Sequence, residues 1–218
     1  MGTLTGAQFS YDVRDLFLDV DAKSYPREDQ VLRDINSSYT NDLCGAVNLD
    51  ELDATDTEAT VASTATTAFS ATDVLSIKGI VDNNGLPLKE ITSNEYDRLQ
   101  ARTGSLTGVP THWYRTGSTT SGQVTVRWYP VPNAAYTMTL NYQKRPTALT
   151  ASTATTIDSM YDEAILCFTA ARVAARMRMF NEAMGFKKYA QALRDESYKS
   201  QQRTSEYRWQ IHGLEEMA

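Results

Sequence analysis

The sequence has very little histidine and cysteine for its length. His112 and His212 are the two histidines among 218 residues, and they lie far apart in the chain. A histidine-based metal site or a catalytic triad therefore has almost no material. Cys44 and Cys167 each lie beside apolar residues in a predicted helix, so we expect two buried, reduced thiols rather than a disulfide. No metal, cofactor or catalytic residue is expected.

Phosphate-binding glycine motifs and long apolar runs are absent as well. Neither G-x-G-x-x-G nor G-x-x-x-x-G-K occurs in the sequence. The acidic run from Asp50 to Glu58 lacks the glycine and the final glutamate of a calcium loop, so we expect a solvated loop there. No run approaches the ~20 apolar residues of a membrane span, and the first residues lack a signal-peptide core. Neither a membrane location nor export is expected.

Positive charge is in short supply. The 21 Lys and Arg residues face 27 Asp and Glu residues, which gives a net charge of −6. Binding of nucleic acid needs Lys and Arg to neutralise phosphates, so a dedicated nucleic-acid-binding surface is not expected. DNA can nevertheless pass close to an acidic surface without adhering to it.

Alternating apolar and polar residues dominate the segment 123–146. Val124, Val126 and Trp128 alternate with polar residues, and the same pattern recurs from Tyr136 to Tyr142. Such alternation places one set of side chains on one face of a sheet. Pro130 and Pro132 between the two runs lack the N–H groups of a central strand. The pattern predicts a β-hairpin whose apolar face, including Trp128 and Leu140, lies in the core.

The remaining elements segregate along the chain. Helices are predicted at 10–20, at 26–44 with Gly45 as C-cap, after a Thr92 or Ser93 cap, from Asp158 or Ser159 to about Phe180, and after a break at Met184-Gly185 to about Thr204. Strands are predicted at 74–81, 86–91 and 109–114. The Thr- and Ser-rich stretch 57–73 fits either an edge strand or a loop.

This order of elements is typical of an α+β fold. Residues 1–47 and 157–204 are expected to form one helical domain, a bundle of the N- and C-terminal helices, packed with an antiparallel β domain. Residues 57–150 would form that inserted β domain, and residues 205–218 an extended tail.

Four segments, taken in order, resemble one known family. They are a strand and turn leading into LKEITSNEYDRL at 88–99, then GVPTHWY at 108–114, VRWYPVPNAAYTMTLNY at 126–142 and the helix start YDEAI at 161–165. Together they resemble the phage head-to-tail adaptor (connector) proteins, including the tail tubular A type of short-tailed phages. The resemblance covers about residues 74 to 203 and is most specific in the 126–142 segment.

The resemblance implies a structural adaptor rather than an enzyme. Such proteins form a homo-oligomeric ring, commonly a dodecamer, that joins the portal protein to a tail or nozzle protein in the virion neck. DNA passes through the ring without sequence-specific binding, which suits an acidic chain. We therefore expect a virion protein that is present in the host cytoplasm during assembly.

The last predicted helices carry basic and acidic residues in alternation. This pattern is typical of a solvated helix face and also of an oligomer interface. Arg172 and Arg176 are our candidates for subunit contacts.

The tail 205–218 carries four large apolar residues: Tyr207, Trp209, Ile211 and Leu214. Their spacings of two, two and three, together with Gly213, predict that the helix does not continue. We expect a tail that is poorly ordered in the isolated subunit and docks onto the portal, with these residues as anchors. The alternative is a tail that folds back and completes the core of its own β domain.

Two rival functions remain open at this point. A tail or baseplate β module would bind protein or carbohydrate, with Trp113, Trp128 and the tyrosines stacking on sugar rings. A tail-associated hydrolase would need a convergent pair of carboxylates in a cleft.

Overall fold

The computed structural model describes residues 4–17, 27–104, 106–118 and 122–215, with side chains as far as Gln202. The chain divides into two compact units. Residues 1–51 and 146–218 form the helical unit, and residues 52–145 form the β unit. Helices and sheets are segregated in this way, which confirms the predicted α+β class.

The helices are α1 (Gly6–Asp15), α2 (Glu28–Ser37), α3 (Ser93–Thr103), α4 (Asp162–Arg176) and α5 (Phe180–Glu215). A π-helical segment, Ser38–Cys44, continues α2, and short 3-10 turns lie at Asp50–Leu52 and Ser159–Tyr161. The strands are β1 (Asp53–Ala59), β2 (Thr66–Ala68), β3 (Val74–Val81), β4 (Lys89–Glu90), β5 (Thr107–Gly108), β6 (His112–Ser118), β7 (Val124–Tyr129), β8 (Val131–Pro132) and β9 (Thr137–Lys144).

Helix α1 begins earlier than the sequence pattern predicted. The Thr5 hydroxyl accepts a hydrogen bond from the Gln8 N–H at 3.3 Å, and the Gln8 side chain accepts one from the Thr5 N–H at 2.7 Å. This reciprocal capping box satisfies two backbone N–H groups at the helix start, those of Thr5 and Gln8. Ser10, the first residue of the predicted helix, is instead buried within α1. Residues 18–20 of the predicted helix lie outside the described residues.

Helix α2 carries the predicted apolar stripe. Val31, Ile35, Tyr39 and Leu43 are all fully buried, as their helical spacing indicated. Gly45 caps the π-helical segment, as predicted. The predicted start at Pro26 lies outside the described residues.

The break between α4 and α5 lies earlier than predicted. The chain turns at 177–179, where Arg178 adopts a positive φ of 64°, and Gly185 lies within α5. The described backbone then remains helical through Glu215, beyond the predicted end near Thr204. A helical glycine costs about 1 kcal/mol relative to alanine, which a long helix can absorb.

Two main sheets build the β unit. One has the order β1-β9-β3 and is antiparallel, and the other has the order β2-β7-β6-β4, with the β4–β6 pair parallel. A short parallel pair, β5–β8, stands apart from both. The β unit is therefore mixed, although its long pairings are antiparallel as predicted.

The predicted hairpin at 123–146 is wrong. Both strands exist, but β7 pairs with β2 and β6, whereas β9 pairs with β1 and β3. The connection does not turn back, because Val131 donates its N–H to Leu106 and Asn133 donates to Gly108. These bonds hold the connecting segment against β5, so the chain passes from one sheet to the other.

The predicted apolar faces nevertheless meet in one core. Val126, Trp128, Met138 and Leu140 are fully buried, and Phe69 and Ile80 pack in the same cluster. Inward-facing residues of two sheets show the same alternation as the two arms of a hairpin. Burial of Trp128 and Leu140 is confirmed.

Several smaller elements differ in extent from the prediction. The acidic stretch that was expected to be a loop contains the 3-10 turn at Asp50–Leu52 and strand β1. The strand predicted at 109–114 begins at His112 and extends to Ser118, and the one predicted at 86–91 is reduced to β4. The cap of α3 is as predicted, with Thr92 and Glu95 forming a capping box.

Candidate interaction surfaces

The packing of α4 against α5 leaves much of α5 exposed. Helix α4 is buried almost all round, whereas the buried side chains among the described part of α5 are Ala183 and Ala190. Alanine at these contacts allows the two helices to approach closely. Phe180, Met184 and Tyr189 are large and exposed on α5. The helical unit thus presents apolar surface along this helix.

A groove of about 440 Å³ lies where α4, α5 and the π-helical segment meet. It is lined by Asp42, Phe168, Ala171, Arg172, Ala175, Phe180, Ala183, Met184 and Lys187. Phe180 is 64% exposed and Met184 is 59% exposed, so the groove has an open apolar wall with charged residues at its edge. The sequence pattern predicted that the preceding helix ends near Phe180, whereas Phe180 is the first residue of α5.

Arg172 and Arg176, the candidates for subunit contacts, both form ion pairs within the helical unit. The Arg172 guanidinium lies 2.7 Å from Asp42 Oδ2, and that of Arg176 lies 2.7 Å from Asp34 Oδ1. The two pairs hold α4 against α2 and the π-helical segment. Arg172 also lines the groove. Its role in subunit contacts stays a prediction, and the groove is where such a contact would form.

Asp34, the partner of Arg176, is a buried carboxylate that is only partly satisfied by hydrogen bonds. Asp34 is 5% exposed, and its Oδ2 atom has no hydrogen-bond partner among the described residues. Burial raises the pKa of Asp34, while the charges of Arg176 and Arg172 act in the opposite direction. The ionised carboxylate therefore opposes folding, and Arg176 offsets part of that cost.

Replacing Arg176 by alanine is expected to lower the free energy of unfolding by about 1–3 kcal/mol at pH 7. The pKa of Asp34 is higher in the folded state than in the unfolded state, so ionised Asp34 destabilises the fold. This cost is absent below the unfolded-state pKa, grows as pH rises towards the folded-state pKa, and is complete above it. Loss of Arg176 raises that pKa further. The deficit of the variant should therefore shrink as pH falls, measured by chemical denaturation at pH 7 and at about pH 4.5.

Arg27→Ala is the matched control for this measurement. Arg27 pairs with Asp29 at 3.5 Å at the start of α2, where both side chains are exposed. An exposed pair of this kind contributes roughly 0–0.5 kcal/mol. Equal effects of the two substitutions, or a deficit of Arg176→Ala that grows in acid, would contradict the assignment.

Both cysteines belong to the core of the helical unit. Cys44 and Cys167 are free and buried, as predicted. Burial raises the pKa of the Cys44 thiol to about 12, so this side chain is a packing residue and not a reactive thiol.

The tryptophans of the β unit are not available for stacking on a ligand. Trp113 is 1% exposed and Trp128 is fully buried, with its indole N–H donating to Thr67 Oγ1 at 2.9 Å. Trp209 lies outside the described side chains, as do Tyr207, Ile211 and Leu214. Neither Trp113 nor Trp128 can therefore supply a sugar-binding platform.

Tyrosines on the outer side of the β6–β7 pair are tied into a structural cluster. The Arg127 guanidinium lies 4.8 Å from the ring centroid of Tyr96, a residue of α3, and that ring lies 5.1 Å from Tyr114. The hydrogen bond that Arg127 donates to Tyr114, together with the nearby Tyr96, raises the pKa of Arg127. Tyr129 extends the cluster through an edge contact with Tyr96. Helix α3 is fastened to the sheet by these contacts.

The β unit also contains a cavity of about 700 Å³. Two carboxylates line it, but Asp53 is engaged by Lys78, whose Nζ donates to Asp53 Oδ2 at 2.7 Å, and Glu90 is exposed. Trp113 also lines the cavity, and its indole N–H has no partner among the described residues. No group of three or more potential metal ligands occurs in the described part of the chain.

Comparison with known proteins identifies the family. The family model described as SU10 adaptor protein matches residues 5–211, which cover all of the β unit and most of the helical unit. No curated protein matches the chain. Among the described residues, no helix has both the length and the apolar character needed to cross a membrane. Because the family match spans nearly the whole sequence, the chain belongs to the SU10 adaptor protein family and is a structural adaptor protein of a bacteriophage virion.

Proposed function

We propose that the chain assembles into a closed ring in the virion neck, where it joins the portal protein to a tail or nozzle protein and surrounds the path of the DNA. The observation that carries this proposal is the adaptor-family match over residues 5–211. The four segments that resemble head-to-tail adaptors of the tail tubular A type support the same placement. On that resemblance, the proposed ring is a dodecamer.

A ring requires two different surfaces on each subunit, because each copy contacts one neighbour on either side. The helical unit has material for such contacts in the exposed side chains of α5 and in the groove beside it. The mixed charges along these helices would set the register between neighbours.

The net charge of −6 supports passage of DNA without retention. A wall that carries negative charge repels phosphates, so the DNA would meet no sequence-specific or electrostatic trap. In this role the protein is a component of the virion and is present in the host cytoplasm during assembly.

The C-terminal segment is the proposed contact to the portal. The α5 backbone remains helical through Glu215, so the segment would dock as a helix and not as an extended tail. In the sequence, Tyr207, Ile211 and Leu214 are four and three residues apart, the spacing of one face of a helix. Docking of such a face into an apolar groove is a common mode of peptide recognition.

The ring is tested by mixing the purified chain with the purified portal of the same phage. Mass measurement and negative-stain images are expected to show rings with an axial hole on the portal. The chain alone is examined in parallel as a control, because ring assembly can depend on the portal. Single copies scattered on the portal, or no binding at all, would contradict the proposal.

A further inference from the structure

The groove and the end of α1 are separate surfaces of the helical unit. The residues of α5 that line the groove are Phe180, Ala183, Met184 and Lys187, and no residue of α1 lines it. Phe17, just after α1, packs edge-on against Phe186 of α5 with ring centroids 6.2 Å apart, and Phe186 is not among the groove-lining residues. Two different surfaces on one subunit are what a head-to-tail contact between copies requires.

The groove has the chemistry to take an apolar side chain with an acidic neighbour. Its open wall is formed by Phe180 and Met184. The charge of Arg172 is engaged by Asp42, whereas Lys187 has no ion-pair partner among the described residues. An occupant with a carboxylate beside an apolar group would complement both the wall and this lysine.

The end of α1 carries that combination. Tyr11 is 71% exposed and Leu16 is 48% exposed, although α1 is otherwise packed on the bundle. Tyr11 and Asp15 are four residues apart, as are Asp12 and Leu16, so the four side chains form one surface of the helix. Asp15 is exposed beside the two apolar residues. Nothing in the described part of the helical unit covers this surface.

We infer that the groove of one subunit receives Tyr11 and Leu16 of the next copy in the ring, with Asp15 facing Lys187. The inference rests on the proposed ring and names its subunit contact. It accounts for large exposed apolar side chains at two separate places on the same unit, because each place would be covered by a neighbouring copy. Charge complementarity sets the direction of the contact.

A disulfide between neighbouring copies tests the contact. Phage particles are assembled with Leu16→Cys/Met184→Cys, and with each substitution alone as a control. The native Cys44 and Cys167 are 1% and 6% exposed, so oxidation should act on the introduced pair. After mild oxidation, the double variant is expected to give a ladder of covalent multimers up to the full ring, and the single variants are expected to remain monomeric on a denaturing gel.

Images of the same particles distinguish failure of the α1–groove contact from failure of the proposed ring. A ring in the neck without a ladder would overturn the α1–groove contact and leave the ring intact. Particles in which this chain forms no ring would overturn the proposed function, and the contact with it. A ring with a ladder supports both.

Charge reversal gives a second readout. Lys187→Glu and Asp15→Lys are each expected to lower ring assembly by about tenfold or more, because like charges would face each other. The two substitutions together should restore assembly, while Lys188→Glu, on the next residue, serves as the matched control and should have little effect. Failure of the double variant to recover, with circular dichroism showing that its subunit is folded, would contradict the pairing.

Discussion

Trp128→Ala is expected to lower the free energy of unfolding of the β unit by about 3–5 kcal/mol. The side chain is fully buried in the core shared by the two main sheets, where its ring packs edge-on against Phe69 at a centroid distance of 6.4 Å. Truncation would remove this packing, leave a cavity and strand the Thr67 hydroxyl that accepts the indole N–H. Leu140→Ala, in the facing sheet, should lower the free energy of unfolding by about 2–5 kcal/mol, because it also removes packing and leaves a cavity.

Hydrogen exchange in the full chain would assign this loss to the β unit. Amides of β7 and β9 should exchange faster in both variants, while those of α4 should change little. Leu86→Ala is the matched control, because Leu86 is exposed in the same unit and should change stability by no more than about 0.5 kcal/mol. An unchanged exchange rate in Trp128→Ala would show that the side chain does not support the core.

Deletion of residues 205–218 is expected to abolish portal binding and leave the subunit folded. Side-chain contacts that hold α5 on the helical unit lie before the deletion: Tyr161 donates to Gln201 Oε1 at 2.8 Å, and Gln201 Nε2 donates to Glu51 Oε2 at 3.2 Å. These bonds remain in the shortened chain, so the melting temperature should be unchanged. Tyr207→Ala and Trp209→Ala should each weaken portal binding by at least about thirtyfold if they are anchors.

Glu215→Ala/Glu216→Ala is the matched control for the docking segment, since it alters the same segment without removing an apolar anchor. Binding is measured by titrating purified portal with each variant. A deletion variant that unfolds readily would favour the alternative in which the segment completes the fold of its own subunit. A deletion variant that binds the portal with full affinity would also contradict docking.

Periodicity in the sequence predicted which side chains are buried, but not which strands are neighbours. Val126, Trp128, Met138 and Leu140 alternate with polar residues, and all four lie in the core. Alternation reports the face of a sheet and carries no information on pairing. Strand β9 pairs with β1, so that Asp53 lies opposite Gln143, and such a distant partner leaves no local signal.

The helical surfaces illustrate a similar limit. The sequence pattern predicted a helix to about Phe180 and a break at Met184-Gly185, but the turn at 177–179 places both Phe180 and Met184 at the exposed start of α5. The ion pair between Asp42 and Arg172 joins residues far apart in the chain, and only the packing of α4 on the π-helical segment brings them together. The groove is a product of that packing and could not be predicted from either segment alone.

The most direct test of the adaptor role is a reconstruction of the neck of the phage particle that contains this chain. A closed ring of copies between portal and tail, with the DNA path through its centre and the C-terminal helix of each copy against the portal, is the expected result. A reconstruction that places the chain away from the portal, or as isolated copies on the tail or baseplate, would contradict it.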